Sequence, residues 1–434
     1  MLKRITTHDI EPTDLDVALA PRLNLLAGDN GLGKSFLLDL AWWALTGSWA
    51  QRAAIPRRRE GVEPKIRCEI EGPDGGATIG GSFDFHEQSW SRNEPSRGVI
   101  NPATGQPLSR FEYESMKLVI AARSEGGFDV WDSYRTSGSS HLPPGTPAWG
   151  VSRRFSLDPR AVWDGLAAKD GTTLCNGLIR DWVTWQFQKP ALFELFARVL
   201  AKLSPHPDEV IAPGPPRRVS IEDTRDIPTI TLPYGSVPVT HASAGLRRVL
   251  SLAYMLVWTW YEHTEAARLM NVAPLNEMVL LIDEVEAHLH PTWQRVILPA
   301  LFEVFPEIEG SLRVQVLVST HSPLVLASVE TLFDEERDSL LHFAVRDGKI
   351  VIEQIPWAKQ GDAVNWLVSE TFGLQQGRSR DAERAIEAAE AFMRGDPTPP
   401  DLDTRERIHV ELQRVLGGHD DFWPRWLVGT GVVK

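Results

Sequence analysis

Four short stretches of this 434-residue chain hold side chains whose types and spacing could do chemistry. In LLIDEVEAHLHP (280–291) an apolar run ends in adjacent carboxylates, Asp283 and Glu284, with Glu286, His288 and His290 just beyond. Acids at the end of a buried run are costly to desolvate unless something compensates them. The stretch GDNGLGKS (28–35) offers that compensation. Its glycines let backbone N–H groups converge on phosphate oxygens, and the helix that follows presents its positive end to the same anion. Gly28, Gly33, Lys34 and Ser35 stand where the Walker A pattern requires them, with Asp29, Asn30, Gly31 and Phe36 completing the expected nucleotide contacts. Lys34 would reach the β- and γ-phosphates of ATP, and the Ser35 hydroxyl would ligate Mg²⁺.

The acids then acquire roles. MVLLID (278–283) has the continuous apolar character of a central parallel strand, which delivers its C-terminal residues to the ligand edge of an open sheet. Asp283 would hold the Mg²⁺, and Glu284 would orient and deprotonate the water attacking the γ-phosphate. VQVLVSTHSP (314–323) is a second such strand, placing His321 to donate a hydrogen bond to the γ-phosphate. In THASAGLRRVLSLAYMLVWTWY (240–261) the helical spacing of apolar residues begins at Leu246. Ser243 is its expected N-cap, and Ala244 and Gly245 expose their N–H groups, making a second anion-binding helix start. One chain does not easily bring both starts to one γ-phosphate; two chains packed head to tail do.

In this order, GDNGLGKS, SAGLRR, LLIDEVEAHLHP and VSTHSP resemble the ABC-type ATPase heads of the RecF, Rad50, SMC and OLD group, over about 1–85 and 228–345. The resemblance implies an α/β P-loop fold with a mostly parallel central sheet and an antiparallel β-subdomain. It also implies a homodimer or higher even-numbered oligomer, with signature residues Ser243, Ala244 and Gly245 acting in trans. Glu284 and His321 become the catalytic glutamate and switch histidine, and 286–291, with His288 and His290, the D-loop. The family's Q-loop glutamine is not assigned by spacing; Gln186 and Gln188 are the candidates. The compact stretch around VWDGLA and CNGLIRDWVTWQ, and the closing GGHDDFWPRWL, are similar to ATPase subunits of Septu-type and retron-associated anti-phage systems. That resemblance implies a separately encoded HNH-type nuclease as partner. The alternative is a RecF- or SMC-like DNA-binding ATPase without a nuclease.

Around these motifs the chain divides into 1–92, an ATPase lobe ending in short strands; 93–227, a helical and loop insertion; 228–355, the second ATPase lobe; and 356–434, a helical partner-binding region. Helices are expected near 159–168 and 173–203, with loop breaks at HLPPGTP (141–147) and HPDEVIAPGPPRR (205–218). Residues 340–355 read as a hairpin turning at Asp347-Gly348. No sustained heptads point to a coiled-coil arm. The acids of DLD (401–403) follow GDPTPP rather than an apolar strand, so they read as a helix cap and not a nuclease centre. A net charge of -13 disfavours a broad nucleic-acid-coating surface, although the basic loop 51–65 could make a local contact. Two cysteines cannot form a disulfide framework, and no apolar stretch spans a bilayer, so a cytoplasmic protein with no membrane partner is expected.

Overall fold

The computed structural model describes residues 1–72, 75–93, 118–136, 154–232, 235–374 and 376–429. The expected break at 141–147 lies outside them. Two compact units result, Met1–Gly361 and Asp362–Lys434.

The first unit is built on an eight-stranded sheet. In chain order its strands are β1 (Leu23–Gly28), β2 (Leu118–Ala122), β3 (Phe128–Asp132), β4 (Phe155–Leu157), β5 (Glu277–Ile282), β6 (Arg313–Ser319), β7 (Asp338–Arg346) and β8 (Lys349–Ile355). Their spatial order is β4-β3-β2-β5-β6-β1-β7-β8. The five central strands are parallel, and both edges are antiparallel. Leu280, Leu281 and Ile282 of β5 are buried, as a strand covered on both faces requires. The β7–β8 hairpin turns at Asp347 and Gly348, both with positive φ, the geometry that favours Asp-Gly.

Helix α1 (Lys34–Thr46) is apolar on most of its surface because it is sandwiched, with Ser35 and Asp39 among the polar exceptions. Its Leu37, Trp42 and Trp43 share one core with Leu317 and Phe343 of the main sheet and with Ile5, Ile66 and Cys68 of a five-stranded antiparallel sheet. That second sheet runs Asp16–Ala18, Leu2–His8, Lys65–Gly72, Gly75–Asp84, Ser89–Asn93 and is the expected β-subdomain. Truncating a fully buried tryptophan such as Trp42 would cost about 3–5 kcal/mol.

The segment 93–227 departs from a helical insertion. β2, β3 and β4 belong to the main sheet, with β2 beside β5. Helix α2 (Pro159–Asp164) is capped by Asp158; α3 (Leu178–Gln188) and α4 (Pro190–Lys202) follow. Between α2 and α3, Leu166–Ala167 pairs with Thr173–Cys175, where the end of one expected helix and the start of the next would have stood. Ala212–Arg218, expected as loop, pairs antiparallel with Asp226–Leu232. Its Gly-Pro content disfavours a strand locally, and pairing with a buried neighbour overrides it. Helix α5 (Ala244–Met270) begins at the Ser243 cap, and α6 (Ile297–Ile308) lies between β5 and β6 in sequence.

The second unit holds α7 (Arg380–Arg394), α8 (Arg405–Val415) and α9 (Phe422–Gly429) around Ile386, Ile408, Leu412, Phe422 and Trp426. Thr404 caps α8, and Asp401 and Asp403 pair with Arg384 and Arg407, so DLD is a helix-start cluster. No helix among the described residues is long and apolar enough to cross a membrane.

Candidate nucleotide site

The C-terminal ends of β1, β5 and β6 converge, and each carries one of the sequence motifs. After β1 the chain turns through Gly28, Gly31 and Gly33, all with positive φ. A Cβ on Gly28 would lie 2.2 Å from the Phe343 carbonyl oxygen, so this position admits no side chain where β1 meets β7. Lys34 is buried, and its Nζ donates to the carbonyls of Gly28 (2.8 Å) and Asp29 (2.7 Å). Burial pushes its pKa down to about 8, against the pull of Asp29, Asp283, Glu284 and Glu286. Asp29, Asn30 and Gly31 are exposed at the loop tip, whereas Phe36 packs against the core.

Ser35 Oγ lies 2.9 Å from both carboxylate oxygens of Asp283. This is the closest link between the two motifs, 248 residues apart in sequence. Ser319 at the end of β6 ties in a third element. Its Oγ donates to Asp283 Oδ1 (2.7 Å) and accepts from the Glu284 backbone N–H (2.7 Å). Glu284 sits at φ 48°, a left-handed turn that bends the chain as it leaves β5. Glu286, the third acid, accepts from Thr320 Oγ1 (2.8 Å) and from the His321 backbone N–H. The acids therefore have separate duties: Asp283 meets Ser35, Glu284 is left half-buried at the edge, and Glu286 secures the histidine loop. His321 has its pKa lowered by burial and then by Lys34, with Glu286, Glu284 and Asp283 opposing. At neutral pH its ring is therefore uncharged, with one N–H to donate.

Ser35 and Asp283 are hard oxygen donors placed side by side, which fits Mg²⁺. Among the described residues, no group of three or more His, Cys, Asp or Glu could hold a metal ion. Behind the pair lies a cleft whose lining includes Asp39, Gln51, Arg123, Glu125 and Asp129. None of these was singled out from sequence, since they come from four separate segments.

Gln186 is a correction. It does not line this cleft; its Nε2 donates to the Gly214 carbonyl at 3.2 Å, beside the strand Ala212–Arg218. Helix α3 is held there by the buried Trp182 and Trp185. The glutamine that lines the cleft is Gln51, 3.4 Å from Glu125.

The signature segment opens α5. Ser243 Oγ accepts from the Leu246 N–H (3.3 Å) and caps α5. Gly245 abuts the His288 carbonyl, 2.7 Å from where a Cβ would stand, so a side chain there would displace the 286–291 segment. His288 is exposed at φ 63°, and the ring of His290 caps the helix Pro291–Gln294, accepting from the Thr292 N–H. In the basic loop, Arg57 donates to the Pro12 carbonyl, Arg59 pairs with Asp9 at 3.1 Å, and Arg58 lies over the Phe85 ring. These arginines pin the loop to its neighbours.

A family model described as "AAA domain, putative AbiEii toxin, Type IV TA system" matches residues 148–327, a span holding Ser243, Asp283, Glu284 and His321 but not Lys34. The chain is 49% identical over 57 residues to the Retron Vc95 probable ATPase of Vibrio cholerae serotype O1 biovar El Tor, covering 13% of this chain and 10% of that protein. It is 37% identical over 98 residues to Septu protein PtuA of Bacillus mycoides (strain KBAB4), covering 23% and 12%. The aligned stretches thus span about a tenth of each relative's length. An SMC head domain from Thermotoga maritima superposes with 14% identity and a TM-score of 0.40, covering 82% of this chain and 99% of that one, too loosely to carry weight. In its motifs, and in the sheet that gathers them, the chain is similar to ABC-type ATPase heads, and in its matched segments to the Septu and retron ATPases.

Proposed function

We propose that this chain hydrolyses ATP at the convergence of β1, β5 and β6, between two copies packed head to tail, and thereby regulates a separately encoded nuclease in phage defence. The observation that carries the catalytic part is the direct Ser35–Asp283 contact beside the buried Lys34. Lys34 would leave its two carbonyl partners for the β- and γ-phosphates. Glu284 would take a proton from water as the water oxygen bonds to the γ-phosphorus and the bond to the ADP oxygen breaks. Neutral His321 would donate its ring N–H to a γ-phosphate oxygen. Mg²⁺, held by Ser35 and Asp283, would neutralise charge on the phosphates.

Ser243 and Gly245 would complete the site of the second copy. The nuclease partner rests on similarity to Septu and retron ATPases, and the unit Asp362–Lys434 is the proposed docking region. Phe422 and Trp426 of its FWPRW segment fill the unit's own core, so other side chains of the region would meet the partner.

Lys34→Ala should abolish ATP binding, and Glu284→Gln should bind ATP, lose turnover by roughly a hundredfold or more and accumulate as a dimer. Light scattering with and without ATP, beside a phosphate-release assay, reads both. A Glu284→Gln chain that stays monomeric with ATP bound would end the two-copy reading.

A further inference from the structure

The short helix Pro291–Gln294 follows the 286–291 segment, and its last residue takes no part in the hydrolysis described above. His290 caps this helix, and the Trp293 indole anchors it, Nε1 donating to the Leu203 carbonyl at 3.1 Å. The half-buried side chain of Gln294 then turns back with both ends of its amide engaged. Its Nε2 donates to the Leu289 carbonyl (2.9 Å), and its Oε1 accepts from Ser322 Oγ (2.7 Å). A side-chain amide offers a donor and an acceptor side by side. A carboxylate of the same length makes half of this link, and a thioether makes none of it.

Ser322 is the residue after His321, and it is buried. Its hydroxyl is used twice, donating to Gln294 and accepting from the Val325 N–H (3.3 Å), where it caps the helix Pro323–Ser328. On the other side of the histidine, Glu286 accepts from Thr320 Oγ1 and from the His321 backbone N–H. The 286–291 segment is itself closed into a turn by the Leu289 N–H donating to the Glu286 carbonyl at 2.8 Å. The loop carrying His321 is thus held at two points by one compact segment: by Glu286 before and at the histidine, and through Gln294 just after it. Neither hold engages the imidazole ring. A loop held on one side can still pivot, whereas a satisfied network on both sides fixes its rotation as well.

We propose that Gln294 is a positioning residue for ATP hydrolysis: by tying Ser322 to Leu289 it keeps the His321 ring where it can donate to a γ-phosphate oxygen. This rests on the role given to His321 above and names a further residue that the role needs. The phosphate loop on β1 makes no contact with this link, so the effect falls on turnover and not on ATP binding. A misplacement of about 1 Å at a reacting centre costs on the order of a hundredfold in rate.

The test measures steady-state phosphate release by the full chain, with Gln294→Met made in the native and in the His321→Ala backgrounds. Gln294→Met keeps the side-chain length and loses both hydrogen bonds; it should lower kcat about tenfold or more and leave KM within about twofold. Gln294→Glu keeps the acceptor for Ser322 and should recover part of the loss. In the His321→Ala background Gln294→Met should add no further loss, because it acts only through the histidine. Ser322→Ala cuts the same link from its other end and should give the same pattern, which keeps the test open if Gln294→Met misfolds. The proposal is overturned if Gln294→Met leaves kcat unchanged, or lowers it equally in both backgrounds, as a purely structural side chain would. Undiminished turnover in His321→Ala alone would instead overturn the role of the histidine, and this proposal with it.

Discussion

Asp39 lies one helical turn beyond Ser35 and faces the same cleft as Asp283 and Asp129. Burial, then the charges of Asp283 and Asp129, raises its pKa to about 7. Between its ordinary 3.8 and about 7 the folded chain keeps a proton that the unfolded chain has lost, so this group's contribution to stability falls as pH rises through that window. Above pH 7 the folded protein holds Asp39 charged at a cost. Asp39→Asn should therefore raise stability at pH 8 by on the order of 2–3 kcal/mol and have little effect near pH 4. Thermal melts of both proteins at the two pH values check this; an equal shift at both would show that the carboxylate's charge is not the cause.

Ser319 and Glu286 stitch the ends of β5 and β6 together. Through Ser319 the β6 end fixes Asp283 and the Glu284 backbone, while through Glu286 the β5 end fixes Thr320 and the His321 backbone. Hydrogen bonds to a charged carboxylate contribute about 1.5–3 kcal/mol each, enough to decide where the histidine loop rests. Glu286→Ala should therefore lower kcat for ATP about tenfold or more while leaving KM within about twofold, because the phosphate loop on β1 is untouched. Glu286→Gln keeps an acceptor for the His321 N–H and should recover part of the loss. Steady-state turnover measures both, and an unchanged kcat in the alanine variant would remove Glu286 from the site's architecture.

At the scale of the molecule, the two units have separate cores, and the C-terminal one is small. Trp426 is fully buried in it, with Nε1 donating to His409 Nδ1 at 3.1 Å. Trp426→Ala should destabilise that unit by about 3–5 kcal/mol. Hydrogen exchange should then rise across α7, α8 and α9, while protection of β1, β5 and β6 and the affinity for ATP stay as they were. Loss of ATP binding in this variant would show that the first unit depends on the second.

The motifs were legible in the sequence because their chemistry is local. Glycines with positive φ, a lysine and serine opening a helix, and carboxylates ending an apolar strand each carry meaning within a dozen residues. Their convergence could be expected from the rule that parallel strands present their C-terminal ends at one edge. The Asp-Gly hairpin and the Ser243 cap were legible for the same local reason. What only the tertiary structure decided is pairing across long separations. LVIAA at 118–122 is short enough to be helix or strand until it lies beside β5, and APGPPRR becomes a strand only because Asp226–Leu232 is there to pair with it. The same holds for the site's surroundings: Gln51 rather than Gln186 reaches the Ser35–Asp283 cleft, and Arg248 is enclosed with its Nη2 lacking a hydrogen-bond partner, because packing, not spacing, determines which side chains lose their water.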